Sequence, residues 1–169
     1  MRSKREDFFL MGEVIHIQNF AKNLTPDRLD SITNYECYKG LTSALNSDNL
    51  FEIEHSLTRL FGREQWCLYT GKHLFNFADN HDVIRACTAI ADKRKLAALY
   101  TILYCMPGIP CVYYGSECGA EGDKSDGDYK LRPFIGDIDK NKAPELSALI
   151  KKLNGIRRGS RALAYGGYE

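Results

Sequence analysis

The sequence predicts an α/β fold of about four βα units with parallel strands. Two observations predict it. Short apolar runs rich in aromatic and β-branched residues alternate with stretches of helical periodicity, and polar, chemically capable residues cluster just after those runs. Strand–helix alternation makes the strands parallel, because each helix carries the chain back to the edge where the previous strand began. In such sheets ligands bind beyond the carboxyl ends of the strands.

The elements follow in order. "DFFLM", residues 7–11, is the first strand. Thr25 caps a helical turn begun by Pro26. A brief strand is expected around Ser31 to Thr33, then helical stretches about Tyr35 to Ala44 and Leu50 to Phe61. His73 to Phe77 is the next strand. From Asp92 to Cys105, Leu96, Leu99, Tyr100, Leu103 and Tyr104 recur at i, i+3, i+4, i+7 and i+8, one face of a helix that Pro107 ends. "IPCVYY", residues 109–114, is a buried strand. A polar, glycine-rich loop runs from Gly115 to about Lys142, and a last helix begins near Pro144 with Leu146, Leu149, Ile150 and Leu153 as its apolar stripe.

Composition narrows the function. A chain of 169 residues, 44% hydrophobic, is long enough to bury one core. A net charge of +1 gives no reason to expect nucleic acid or an anionic membrane as partner, and no apolar run is long enough to span a bilayer. The basic groups Arg2-Ser3-Lys4-Arg5 and Lys93-Arg94-Lys95 read as solvated surface. The six cysteines include no Cys-x-x-Cys pair, which argues against structural zinc and for reduced thiols in a cytoplasmic setting. No Gly-x-Gly-x-x-Gly and no Walker sequence follows any strand, so no cofactor is expected.

Three strand ends carry the chemistry. Glu13 follows the first, "FNFADNHD" puts Asp79, Asn80, His81 and Asp82 after the third, and Glu117 follows the fourth. Plainer readings stand beside the chemical one. Glu13 suits a surface loop, and Asn80-His81-Asp82 suits an Asx turn in which Asp82 caps a helix opening at Val83.

"FFLMGEVIH", "FNFADNHDVIR" and "MPGIPCVYYGSECGAEG", with "LDSITNYECYKGL" between the first two and "KLRPF" after the last, resemble successive strand segments of the α-amylase family of glycoside hydrolases. The resemblance covers nearly the whole chain and implies strands five to eight of a (β/α)8 TIM barrel, a partial barrel, because a complete one needs about 250 residues. It implies residues 1–160 as the C-terminal half of a catalytic barrel and 161–169 as the start of a linker to a β-domain. By resemblance Glu13 is the general acid/base, which partial desolvation and a nearby carboxylate would favour in its protonated form. Asp82 is the family's third acidic residue, and His81 its hydroxyl-binding neighbour. Asn80 shapes the turn, while Asp128 and Arg132, four apart in "DGDYKLRP", line the sugar site. The family's nucleophilic Asp lies in a Gly-x-Arg-x-Asp context that does not occur in these 169 residues.

The resemblance implies action on α-glucosidic bonds of starch-like or maltooligosaccharide substrates by a retaining mechanism, with the isolated chain inactive. The family's calcium ligands come largely from earlier segments, so no metal is assigned. Two alternatives remain: transglycosylation or sucrose isomerisation on the same residues, and a non-catalytic scaffold. Open strand edges suggest self-association of the half barrel. The sequence departs from the pattern at Ile15, where many relatives carry Trp, and at Ser116, where many carry Asp. Trp66, Tyr113 and Tyr114 read as packing residues, and His16 as a residue able to face the site.

Overall fold

Four short parallel strands and the helices between them organise the chain in a computed structural model, which describes residues 4, 5 and 7–169. Arg2 and Ser3 of the N-terminal basic group lie outside the described residues. Strand β1 (Met11–Gly12) pairs in parallel with β2 (Ser31–Ile32), and β3 (Phe75–Phe77) pairs in parallel with β4 (Ile109–Cys111). A single parallel bridge, Thr33 to Phe75, joins the two pairs into one strand order, β1-β2-β3-β4.

The join is built from amides. Buried Asn34 caps helix α1 (Tyr35–Ser47) by accepting from the Cys37 N–H at 3.0 Å. Its Nδ2 donates to Asn76 Oδ1 at 2.8 Å, and Asn76 Nδ2 donates to the Pro107 carbonyl at 2.7 Å. One chain of amides thus fixes the ends of β2, β3 and the turn before β4. Gly108 completes that turn with φ +108, and a Cβ there would stand 2.5 Å from Asn76 Nδ2.

Helix α2 (Phe51–Phe61) packs on α1 around Leu41, Leu45, Ile53, Leu57 and Leu60. A short helix α3 (Ala86–Ala89) leads to α4 (Leu96–Cys105), whose buried face is the expected Leu96, Leu99, Tyr100, Leu103 and Tyr104. After β4 come α5 (Asp128–Leu131), α6 (Pro144–Gly159) and α7 (Arg161–Tyr165). Leu146, Ile150 and Leu153 of α6 are buried. Arg157 of α6, only 8% exposed, donates to the carbonyls of Tyr104 at 2.6 Å, Met106 at 3.1 Å and Gly108. The Tyr104 and Met106 carbonyls lie at the end of α4 and that of Gly108 in the turn before β4, so one guanidinium closes the helix and anchors α6 to both.

Several sequence expectations are corrected. Pairing in the first strand begins only at Met11, opposite Ser31, so residues 7–10 are not strand. Phe8 and Phe9 are 39% and 52% exposed. The fourth strand stops at Cys111, before Val112, Tyr113 and Tyr114, because its register with β3 ends at Phe77. Residues 25–28 form a turn, and Thr25 Oγ1 caps nothing, since it is buried without a hydrogen-bond partner among the described residues. Trp66 is not packed but 56% exposed. Beyond α6, the ring of Tyr165 in α7 lies edge-on to His73 at 5.8 Å. All six cysteines are free, and no helix among the described residues is long and apolar enough to cross a membrane.

Candidate active site

Strands β1 and β3 flank β2 and run parallel to it, so their carboxyl ends open on the same side and their trailing residues meet. Glu13 leaves β1, and the segment Ala78 to Asp82 leaves β3. His81 Nε2 lies 3.6 Å from Glu13 Oε1 and 3.3 Å from Asp82 Oδ2. One donor atom from each of Glu13, His81 and Asp82 falls within 4.8 Å of the others. Residues 69 positions apart in the chain become one cluster because the parallel register aligns the carboxyl ends of their strands.

The loop that presents His81 and Asp82 is an Asx turn. Asn80 Oδ1 accepts from the Asp82 N–H at 2.8 Å, and Asn80 Nδ2 donates to the Tyr35 hydroxyl at 3.0 Å. Tyr35, the first residue of α1, is braced by Phe77 in an edge-on contact at 4.9 Å. Burial pushes its phenol above its ordinary value, and the carboxylates of Glu13 and Asp82 add to the rise. Arg132 closes the cluster from the far loop. Its Nη2 donates to Asp82 Oδ1 at 2.9 Å and its Nε to the His81 carbonyl at 3.1 Å.

Directly behind this face lies a second, dry cluster. Asp79 and Arg85 are 1% and 0% exposed and pair at 3.0 Å. Ser116 donates to Asp79 at 2.8 Å, and Asp79 Oδ2 also accepts from the Ala86 N–H at 2.9 Å. Arg85 spends its remaining donors on the carbonyls of Leu131 at 3.1 Å and Tyr114 at 2.5 Å, and on Ser116 Oγ at 3.1 Å. Its guanidinium lies over the Tyr113 ring at 4.7 Å. Burial pushes the Asp79 carboxyl upward, and the Ala86 N–H, Arg85 and Ser116 pull it back. Arg85 therefore ties the end of β4 and the loop before Arg132 to the segment carrying His81.

Five of the six expected site residues are thus brought together: Glu13, Asn80, His81, Asp82 and Arg132. Asp128 is not. It is the exposed first residue of α5, and its carboxylate makes no hydrogen bond or ion pair among the described residues. The helix expected at Val83 is absent; α3 opens at Ala86, and it is Asp79 rather than Asp82 that takes an N-terminal N–H. The desolvation expected around Glu13 is also absent, because its side chain is 50% exposed, with His81 at 41% and Asp82 at 43%. His16 is exposed and outside the cluster. Sequence reasoning missed Tyr35, Arg85 and the role of Ser116. The signal for Arg85 was a single basic residue inside the apolar stretch "VIRAC", six positions after an acid.

The family model described as alpha amylase, catalytic domain matches residues 1–166. A cyclomaltodextrinase from a Bacillus species is 28% identical over 184 aligned residues, covering 100% of this chain and 30% of the relative. Alpha-amylase 3 of Dictyoglomus thermophilum is 33% identical over 152 residues, covering 79% of this chain and 26% of the relative. Among solved structures, the maltogenic amylase from S. marinus superposes with a TM-score of 0.74 at 28% identity, over 97% of this chain and 23% of that one. The chain therefore spans less than a third of the length of these relatives.

Proposed function

Because the chain belongs to the α-amylase family of glycoside hydrolase catalytic domains, we propose that it supplies the acid/base and the hydroxyl-binding residues of a retaining reaction on α-glucosidic bonds. The fold is accordingly a part of a (β/α)8 barrel. The observation that carries the reading is the meeting of Glu13, His81 and Asp82 across two parallel strand ends.

The chemistry follows from the charges. Glu13, protonated, gives its proton to the glycosidic oxygen as that bond breaks, and its carboxylate then takes a proton from the incoming water. A second carboxylate traps the anomeric carbon as a covalent glycosyl intermediate. In this family that group is an Asp in a Gly-x-Arg-x-Asp setting, which these 169 residues do not contain. Asp82 and His81 accept and donate hydrogen bonds to sugar hydroxyls, and such bonds strengthen as positive charge builds on the ring. Arg132 donates to Asp82 and orients it. Asn80 fixes the turn, and Asp128, on the same loop as Arg132, reaches substrate beyond the cluster. Maltooligosaccharides and related α-glucans are the proposed substrates, in line with the cyclomaltodextrinase and maltogenic amylase names of the relatives.

The test is complementation. The 169-residue chain alone should not turn over maltooligosaccharides. Mixed with the N-terminal half barrel of a relative, it should gain activity that Glu13→Gln removes. Turnover by the chain alone, or complemented activity that survives Glu13→Gln, overturns the assignment.

A further inference from the structure

Resting on the glycosidase reading, we propose that Tyr35 is a positioning residue for the acid: its phenol accepts from Asn80 and donates its single proton to the Glu13 carboxyl group.

The atoms present fix the direction of each hydrogen bond. Asn80 Oδ1 accepts from the Asp82 N–H at 2.8 Å, so the amide nitrogen is the atom that faces the Tyr35 hydroxyl, at 3.0 Å. An amide NH₂ only donates, so the phenol oxygen is the acceptor there and its one proton points elsewhere. The other group that the phenol hydrogen-bonds is Glu13. An ionised carboxylate only accepts, so Tyr35 is the donor to it.

The backbone brings the two residues together by separate contacts. The Thr33 N–H donates to the Gly12 carbonyl at 3.1 Å. The Thr33 hydroxyl accepts from the Val14 N–H at 2.8 Å and donates to the Val14 carbonyl at 2.9 Å. Both chain neighbours of Glu13 are thus clamped to Thr33, two positions before Tyr35. The Glu13 side chain is half exposed, whereas the Tyr35 ring is buried and held edge-on by Phe77 at 4.9 Å and Tyr38 at 6.3 Å. The fixed partner therefore aims the mobile one.

The consequence is chemical. With one Glu13 oxygen engaged by the phenol, the other carries the acid proton. That proton passes to the glycosidic oxygen as the bond breaks, and the incoming water later returns one to the same oxygen. The phenol keeps its own proton throughout, because burial, with the Glu13 and Asp82 charges, holds it above its ordinary value.

The test compares leaving groups. The chain is complemented with the N-terminal half barrel of a relative, and kcat/KM is measured on maltotriose and on 4-nitrophenyl maltoside, whose nitrophenolate departs with little need of a proton. Tyr35→Phe should lower kcat/KM at least about tenfold on maltotriose and less than about twofold on the nitrophenyl glycoside. Asn80→Asp keeps the acceptor for the Asp82 N–H but turns the donor into an acceptor that recaptures the phenol proton, so it should reproduce the pattern. Equal losses on both substrates, or no loss, in variants that circular dichroism shows to be folded, overturn the proposal. If the wild-type mixture is inactive on both substrates, the glycosidase reading fails, and infrared spectroscopy of the chain alone decides the contact. The Tyr35 phenol C–O band, taken as the difference from Tyr35→Phe, should shift in Glu13→Ala. An unmoved band overturns this inference.

Discussion

Two ionic clusters share the segment between β3 and α3, and they differ in almost every physical respect. Asp79 and Arg85 are sealed from water, with every strong donor and acceptor engaged. Two and three residues along from Asp79, the side chains of His81 and Asp82 are 41% and 43% exposed and meet Glu13 across a gap open to solvent. The first cluster holds the loops; the second is available to something outside the protein. Charge in the interior is tolerated only when fully paired, whereas charge at a strand end can stay under-engaged because water covers the difference.

The sharpest way to break this contrast is to cut the dry pair. Arg85→Met should leave Asp79 buried without its counter-ion and cost about 3–5 kcal/mol in urea unfolding. It should also free Leu131 and loosen Arg132. A cost under about 1 kcal/mol would show that the inner cluster is not dry. The second test uses alkaline pH. Burial pushes Tyr69 and Cys37 each up to about 12. For both, the folded value lies above the unfolded one, so each contributes stability that is complete below the unfolded value. That contribution is lost as pH rises from about 9 for Cys37 and about 10 for Tyr69 toward 12. The Tyr69 part amounts to about 3 kcal/mol. Its phenolate should therefore appear only with unfolding, seen as coincident change in tyrosine absorbance and circular dichroism. Free titration of all ten tyrosines in the folded chain would contradict it.

The outer cluster should respond weakly by the same measures. Arg132→Ala removes a half-exposed ion pair and should cost under about 1 kcal/mol. Glu13→Gln should change stability by less than about 0.5 kcal/mol. A large unfolding effect from either would erase the distinction between the two regions.

Much of this was legible in the chain. The helix faces of α4 and α6 were, because 3.6-residue periodicity is a local property that burial then uses. The meeting of Glu13 with His81 and Asp82 was also readable, since parallel strands deliver their ends to one side. The strand limits were not. Residues 7–10 have strand composition, yet pairing starts at Met11, because a ladder exists only where a neighbour lies opposite. The dry cluster was not legible either. "FADNHDVIR" shows two similar acids three apart, and nothing local says that Asp79 turns inward to Arg85 while Asp82 turns outward to Arg132.

By itself, then, the order of residues determined the alternation of strand and helix, the family, and which strand ends carry acid, imidazole and amide. These are matters of local periodicity and of side-chain type. Only the tertiary structure decided which carboxylates are dry and which are wet, and where each strand stops. Both depend on what packs opposite a residue, and opposite neighbours here lie tens of positions away, as Ser116 does from Asp79 and Arg132 from Asp82.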